Sequence, residues 1–166
     1  MDGWKRTLAL GLLGAVALTA AAAVASACGG GEEEGGGGAE ATTVSVTLGE
    51  WLVEPDPDSA PAGEITFTAN NEGTIEHELV IIKTDLAPDA LPTNDDGTVN
   101  EDAEGIEVID EIEEFEPGGS ESLTVTLEPG KYVLICNIGP SSEEEAGHME
   151  HEAHYKEGMH AAFTVE

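Results

Sequence analysis

Gly130-Lys-Tyr-Val-Leu-Ile-Cys136-Asn137 is the stretch on which the fold turns. It is short, β-branched and apolar, and it follows the tight turn Glu128-Pro-Gly130, so it reads as a buried strand. Tyr132, Leu134 and Cys136 fall on one face, with Val133 and Ile135 on the other. A strand with apolar residues on both faces needs cover on both sides. Its neighbours in the chain follow the same period. Val44, Val46 and Leu48 alternate with polar residues, as do Ile65, Phe67 and Ala69, and Leu123, Val125 and Leu127. His77-Glu-Leu-Val-Ile-Ile82 opens a further strongly apolar strand after the turn cluster Asn70-Asn71-Glu72-Gly73, and Ala161 to Val165 closes the chain with a last one.

Between these strands, Thr84 to Asp102 is polar, acidic and proline-punctuated, a long loop. Ile106, Val108, Ile109, Ile112 and Phe115 suit either a short helix or an irregular strand. About seven short strands with turn signals between them and no long helix predict an all-β protein, a β-sandwich with one core. Aromatic residues are few, so Ile, Val and Leu must supply most of the burial, with Tyr132, Phe67 and Phe163 as the expected core aromatics.

Four residues then stand out as donors: His77, Cys136, His154 and Met159. Cys136 ends its strand, and a buried thiolate needs a metal or a positive neighbour. His77 opens a strand, and in a sandwich both positions can lie at the same end. His154 and Met159 share one loop, and Gly158 lets it bend sharply before Met159. Two imidazoles, a thiolate and a long, weak thioether are the donors of a mononuclear blue-copper site, tolerant of both Cu(I) and Cu(II). Each residue alone reads more simply: a surface histidine, a core methionine, a buried cysteine. Their order and spacing make the set.

Here the chain resembles the cupredoxin family, the group of plastocyanin, azurin and auracyanin. The resemblance covers about Thr42 to Glu166 and rests on Asn71-x-Gly73-x-x-x-His77, on Gly130 to Asn137, and on His154-Tyr-Lys-Glu-Gly-Met159. It implies a Greek-key β-sandwich that shuttles single electrons, with His77, Cys136 and His154 as equatorial ligands of one copper and Met159 as the axial one. It also implies that one edge of His154 reaches the surface as the electron port. Two features depart from the family pattern. Seventeen residues separate Cys136 from His154, where many relatives have only a few, and this insert carries Glu143-Glu-Glu145, His148 and His151. His151 is therefore a rival for the second histidine ligand. His148, His151 and His160 otherwise read as exposed histidines, and the spacing of His148-Met-Glu-His151-Glu-Ala-His154 matches no strict secondary metal motif. Glu78 follows His77 where familiar members carry an Asn that helps lock the ligand loops.

The first 27 residues read as a signal peptide: basic Lys5 and Arg6, an apolar run from Leu8 to Val24, then Ala25-Ser26-Ala27. A permanent membrane anchor is the competing reading of this run. Cleavage after Ala27 suits general signal peptidase, and the same stretch before Cys28 resembles a lipobox that would make Cys28 the lipidated N-terminus. Residues 28–41 are dominated by Gly and Glu, which suits a flexible tether behind a lipid anchor, and residues 42–166 form the expected cupredoxin domain. A Cys28–Cys136 disulfide would tie this tail to a buried strand end and is disfavoured.

From Cys28 onward three lysines, Lys83, Lys131 and Lys156, face 34 acidic residues, a net charge of −31. That argues against nucleic acid as a partner and favours redox partners with basic docking patches, met by a monomer outside the cytoplasm. A copper chaperone or storage protein using the His/Met-rich insert is the alternative function. No Ser-His-Asp set, phosphate-binding loop or paired-acid motif stands out, so the chain does not read as an enzyme.

Overall fold

The computed structural model describes residues 41–140 and 151–166. The signal peptide, Cys28, the Gly/Glu tether and His148 lie outside the described residues. In chain order the strands are β1 (Thr42–Gly49), β2 (Leu52–Asp56), β3 (Ser59–Ala60), β4 (Gly63–Asn71), β5 (His77–Lys83), β6 (Glu107–Phe115), β7 (Ser120–Leu127), β8 (Gly130–Ile135) and β9 (His160–Val165), with a one-turn helix α1 (His154–Glu157) before the last strand. They form two sheets, β2-β1-β4-β7 and β3-β9-β8-β5-β6. This is the all-β sandwich expected, with nine strands among the described residues instead of about seven. The two extra ones, β2 and β3, lie in the proline-punctuated stretch where alternation is weak. Among the described residues no helix is long and apolar enough to cross a membrane.

Each sheet turns its period-two apolar face inward. β1 runs parallel to β4, pairing Val44 with Phe67 and Val46 with Ala69, and β4 runs antiparallel to β7, pairing Ile65 with Val125. Leu79 and Ile81 of β5 and Tyr132 and Leu134 of β8 meet them from the other sheet. Phe67 and Phe163 pack edge to face at 5.2 Å between ring centroids in this core, and Tyr132 is buried beside them, so the three expected aromatics are all inside. Burying each such side chain fully contributes about 1.5–3 kcal/mol.

The opposite face of the five-stranded sheet is also covered. Val80, Ile82, Val133 and Ile135 pack there against Leu91, Val99 and Tyr155, a second, smaller core. Its lid is the long loop after β5, which makes a short 3-10 turn at Pro88–Ala90 and an isolated bridge between Thr93 and Val99. The two apolar faces of the Gly130–Cys136 stretch are thus explained by two separate covers.

Strand β6 resolves the ambiguous segment. It is an antiparallel edge strand on β5, not a helix, and its register against β5 slips between His77 and Leu79 and again between Ile81 and Ile82. The slips break the period of two and leave apolar residues at mixed spacings.

This topology sets up one pole of the sandwich. β5 and β8 are antiparallel, with Val80 opposite Ile135, so the start of β5 lies beside the end of β8. His77 has the same parity as Leu79 and Ile81, and Cys136 the same parity as Tyr132 and Leu134, so both belong to the inner face. β9 begins opposite the end of β8, with His160 paired to Ile135, which brings Met159 beside Cys136.

Candidate metal centre

The turn before β5 is built to hold His77 still. The Asn71 side-chain NH2 donates to the carbonyls of Ile75 (2.9 Å) and Phe115 (3.0 Å), and its Oδ1 accepts from the Gly73 N–H (3.0 Å). Glu50, from the turn after β1, accepts from the N–H groups of Thr74 (2.7 Å) and Ile75 (3.0 Å) through Oε1. Burial works against the charge on Glu50, but these hydrogen bonds outweigh it and keep its carboxyl below the usual range. The same oxygen lies 3.8 Å from His77 Nε2. Gly73 is required by close approach: a Cβ there would sit 2.8 Å from both His77 Nε2 and Glu50 Oε1.

His154 arrives differently. Its N–H donates to the Ile138 carbonyl (2.9 Å), which closes the 17-residue insert onto the strand end. The Tyr155 hydroxyl accepts from the Leu91 N–H and donates to the Pro88 carbonyl, both at 2.9 Å, pinning α1 to the second core. Gly158 takes φ of +118° and its N–H caps the helix on the carbonyls of His154 and Tyr155. That is the sharp bend expected before Met159. Met159 is fully buried, its N–H donates to the His154 carbonyl (3.1 Å) and its carbonyl accepts from the Cys136 N–H (3.2 Å).

At the pole, His77, Cys136 and His154 bring their donor atoms within 4.8 Å of one another. The two Nδ1 atoms are 3.3 Å apart, and Cys136 Sγ lies 3.1 Å from Nδ1 of His154 and 3.8 Å from Nδ1 of His77. His154, not its rival His151, makes the third corner. His151 turns its Nδ1 to the Glu152 carbonyl at 2.8 Å.

The electrostatics suit a cation. Burial lowers the pKa of His154 to about 3, with the neighbouring His77 and His151 adding to the effect, and burial lowers that of His77 too. Both rings are therefore neutral near pH 7. Burial raises the Cys136 thiol to about 12, against hydrogen bonds from the backbone at Glu78 and Ile138. Two imidazole lone pairs and a sulfur face one point, while the Nε2 atoms of both rings are buried without a hydrogen-bond partner. A metal ion at that point would take the lone pairs and displace the thiol proton. The donors fit one copper ion: two borderline nitrogens and a soft sulfur, with a second soft sulfur, Met159, buried in the same core.

Glu78, next to His77, also has a definite place in the structure. Glu78 Oε1 accepts from the Asn137 N–H (2.8 Å), and the Glu78 N–H points at Cys136 Sγ (3.4 Å). A carboxylate bridges the segments that carry His77 and Cys136 there. Burial raises its pKa to about 7, opposed by the Asn137 hydrogen bond and reinforced by Glu114, Glu111 and Glu101. Asn137 in turn binds Val99 and Glu101 through its side chain.

Two expectations are corrected. His154 does not present an edge to solvent; it is 1% exposed. Trp51, from the turn after β1, packs its ring 5.1 Å from that of His154, and His151 packs at 4.7 Å. Nor are His151 and His160 plain exposed histidines: both are half-buried, and the His160 ring packs 5.3 Å from that of Tyr155. Sequence reasoning missed Glu50, Trp51 and the Tyr155 anchor. Each acts across many residues of chain, and only the Tyr beside His154 sat inside a motif that could have drawn attention to it.

The two-sheet sandwich brings His77, Cys136 and His154 together at one end, with Met159 buried in the same core, and these donors fit a type 1 copper site. Among solved structures the chain is similar to reduced auracyanin from the photosynthetic bacterium Roseiflexus castenholzii, at 28% identity over 76% of this chain and 98% of that one, with a TM-score of 0.48. It is similar to auracyanin B at 22% identity over 76% and 89% (TM-score 0.47). It is also similar to auracyanin A, a "blue" copper protein from the green thermophilic bacterium Chloroflexus aurantiacus, at 17% identity over 75% and 98% (TM-score 0.45). No protein-family model and no curated protein matches the sequence.

Proposed function

We propose that the chain is a blue-copper electron carrier, with His77, Cys136 and His154 as the equatorial ligands of one copper and Met159 as the axial thioether. The observation that carries this reading is the convergence of both Nδ1 atoms and the Cys136 sulfur in a site where every donor residue is buried. When bound, copper supplies a one-electron couple between Cu(I) and Cu(II). The protein's part is rigidity. The Asn71 and Glu50 hydrogen bonds fix His77, the Tyr155 anchor fixes His154, and a donor set that stays in place costs little rearrangement as the charge changes. Four protein donors leave no open position for a substrate, which separates this reading from an enzyme.

The N-terminal reading places this carrier outside the cytoplasm: a signal peptide over residues 1–27, lipid on Cys28 and a tether to residue 41 would hold it at a membrane. Its acidic surface favours partners with basic docking patches, through association rate more than tight binding.

Visible and EPR spectra of the copper-loaded protein test the reading. The oxidised protein should show an intense thiolate-to-copper band that is lost on reduction and abolished by Cys136→Ser. No such band in the wild-type protein overturns it. A colourless Cu(I) protein that passes its metal on would favour copper storage or delivery.

A further inference from the structure

His154 is sealed by two rings from separate parts of the chain. The Trp51 and His154 rings meet at 5.1 Å and 65°, the His151 and His154 rings at 4.7 Å and 60°, and Trp51 and His151 touch each other at 5.5 Å and 57°. Trp51 and His151 are half-buried, so each keeps an outer edge, while the histidine beneath them has none. Leu52, next to Trp51, is one of two large apolar side chains that are exposed among the described residues. An apolar and aromatic spot thus sits directly over the donor cluster, on a chain that is otherwise densely acidic.

We propose that electrons enter and leave the centre across the paired rings of Trp51 and His151, which form its outer face in place of the His154 edge. The proposal rests on the reading of the chain as a copper electron carrier. Its chemistry is minimal. A one-electron donor, for example an outer-sphere inorganic metal complex, is oxidised by one electron and the centre is reduced by one; no bond breaks and no proton moves. The two rings exclude water from His154 and set the closest distance a donor or acceptor can reach. A partner would therefore rest on Trp51, Leu52 and His151.

Two measurements test this. In the metal-free protein, carbethoxylation of histidines by diethyl pyrocarbonate, resolved by peptide mass spectrometry, should leave His154 as protected as His77 while His160 reacts. His151→Ala should make His154 react several-fold faster, whereas His151→Phe, which keeps a ring, should leave it protected. In the copper-loaded protein, stopped-flow electron exchange with a small outer-sphere complex should run several-fold faster for His151→Ala and Trp51→Ala than for wild type. His151→Phe and Trp51→Phe should stay near the wild-type rate. The proposal is overturned if His154 of the wild-type protein reacts as fast as His160, or if wild type exchanges electrons as fast as the alanine variants. A wild-type protein that binds copper without the thiolate band overturns the carrier reading, and this proposal with it, whatever the protection pattern. A protein with the band but an unprotected His154 overturns this proposal alone.

Discussion

His77 and His154 meet at one point by opposite routes. His77 stands at the start of a strand in the middle of a sheet, and its turn is stitched by Asn71 and Glu50 within the same pole. His154 stands on a single helical turn after a long insert, and its placement comes from the adjacent Tyr155, whose hydroxyl is held by Leu91 and Pro88 in the long loop that covers the other face of the sheet. The first is a donor fixed by hydrogen bonds to backbone next to it. The second is fixed by packing at a distance, with Ile138 and Gly158 clamping the ends. The difference explains how 17 residues can intervene between Cys136 and His154 while His154 still reaches the donor cluster. Loop length adds little to the cost of closure once both ends are anchored, and here the His154 N–H bonded to the Ile138 carbonyl closes the insert near its two ends.

Gly73→Ala should break the His77 side hardest. The added methyl meets a buried ring edge and a carboxylate at 2.8 Å, and overpacking of a tight spot costs about 1–3 kcal/mol. We expect the metal-free protein to lose stability toward the upper end of that range in chemical denaturation. The imidazole NMR signals of His77 should move while those of His154 keep their places. Equal movement of both histidines would show that the two sides are not independently held.

Tyr155→Phe is the matching cut on the His154 side. The ring still fills the second core, but the buried Leu91 N–H and the Pro88 carbonyl lose their partner, at a cost of about 1–2 kcal/mol. Here the His154 signals should broaden or shift and those of His77 hold. A denaturation midpoint equal to that of wild type would mean the anchor is not what places His154.

The two sides also differ in how much of them could be read from sequence. Cys136 and its strand faces follow from the alternation of Tyr132, Leu134 and Cys136 against Val133 and Ile135, and the structure gives both faces a cover. His77 follows from a strand start after a turn cluster, and the convergence with Cys136 follows from antiparallel pairing. The strand β6 could not be typed, because its register slips against β5 turn a period of two into mixed spacings. The choice of His154 over His151 rested on spacing to Met159 alone. Nothing local marks which of two imidazoles three residues apart turns inward; the Ile138 clamp and the Tyr155 anchor decide it. The burial of His154 was out of reach for a simpler reason. Its cover includes Trp51, about a hundred residues earlier in the chain, and no pattern joins them.

The smallest effect should come from the bridge between the two sides, Glu78. Its carboxylate accepts the Asn137 N–H and so ties the start of β5 to the end of β8. Burial, with Glu114, Glu111 and Glu101 nearby, raises its pKa from 4.5 to about 7. In the metal-free protein, the folded state therefore binds a proton between those values that the unfolded chain has released. Stability from this group is fully present below about pH 4.5 and is lost as pH rises through about 7. Glu78→Gln keeps an oxygen for Asn137 and removes the charge. Thermal unfolding of the metal-free protein, followed from about pH 5 to about pH 8, should fall less steeply for this variant than for wild type. Part of the slope should persist, because burial and like charges also raise the carboxyl of Glu111. An unchanged slope would mean that Glu78 is already ionised across this range and that the bridge between the two ligand loops carries a full charge at neutral pH.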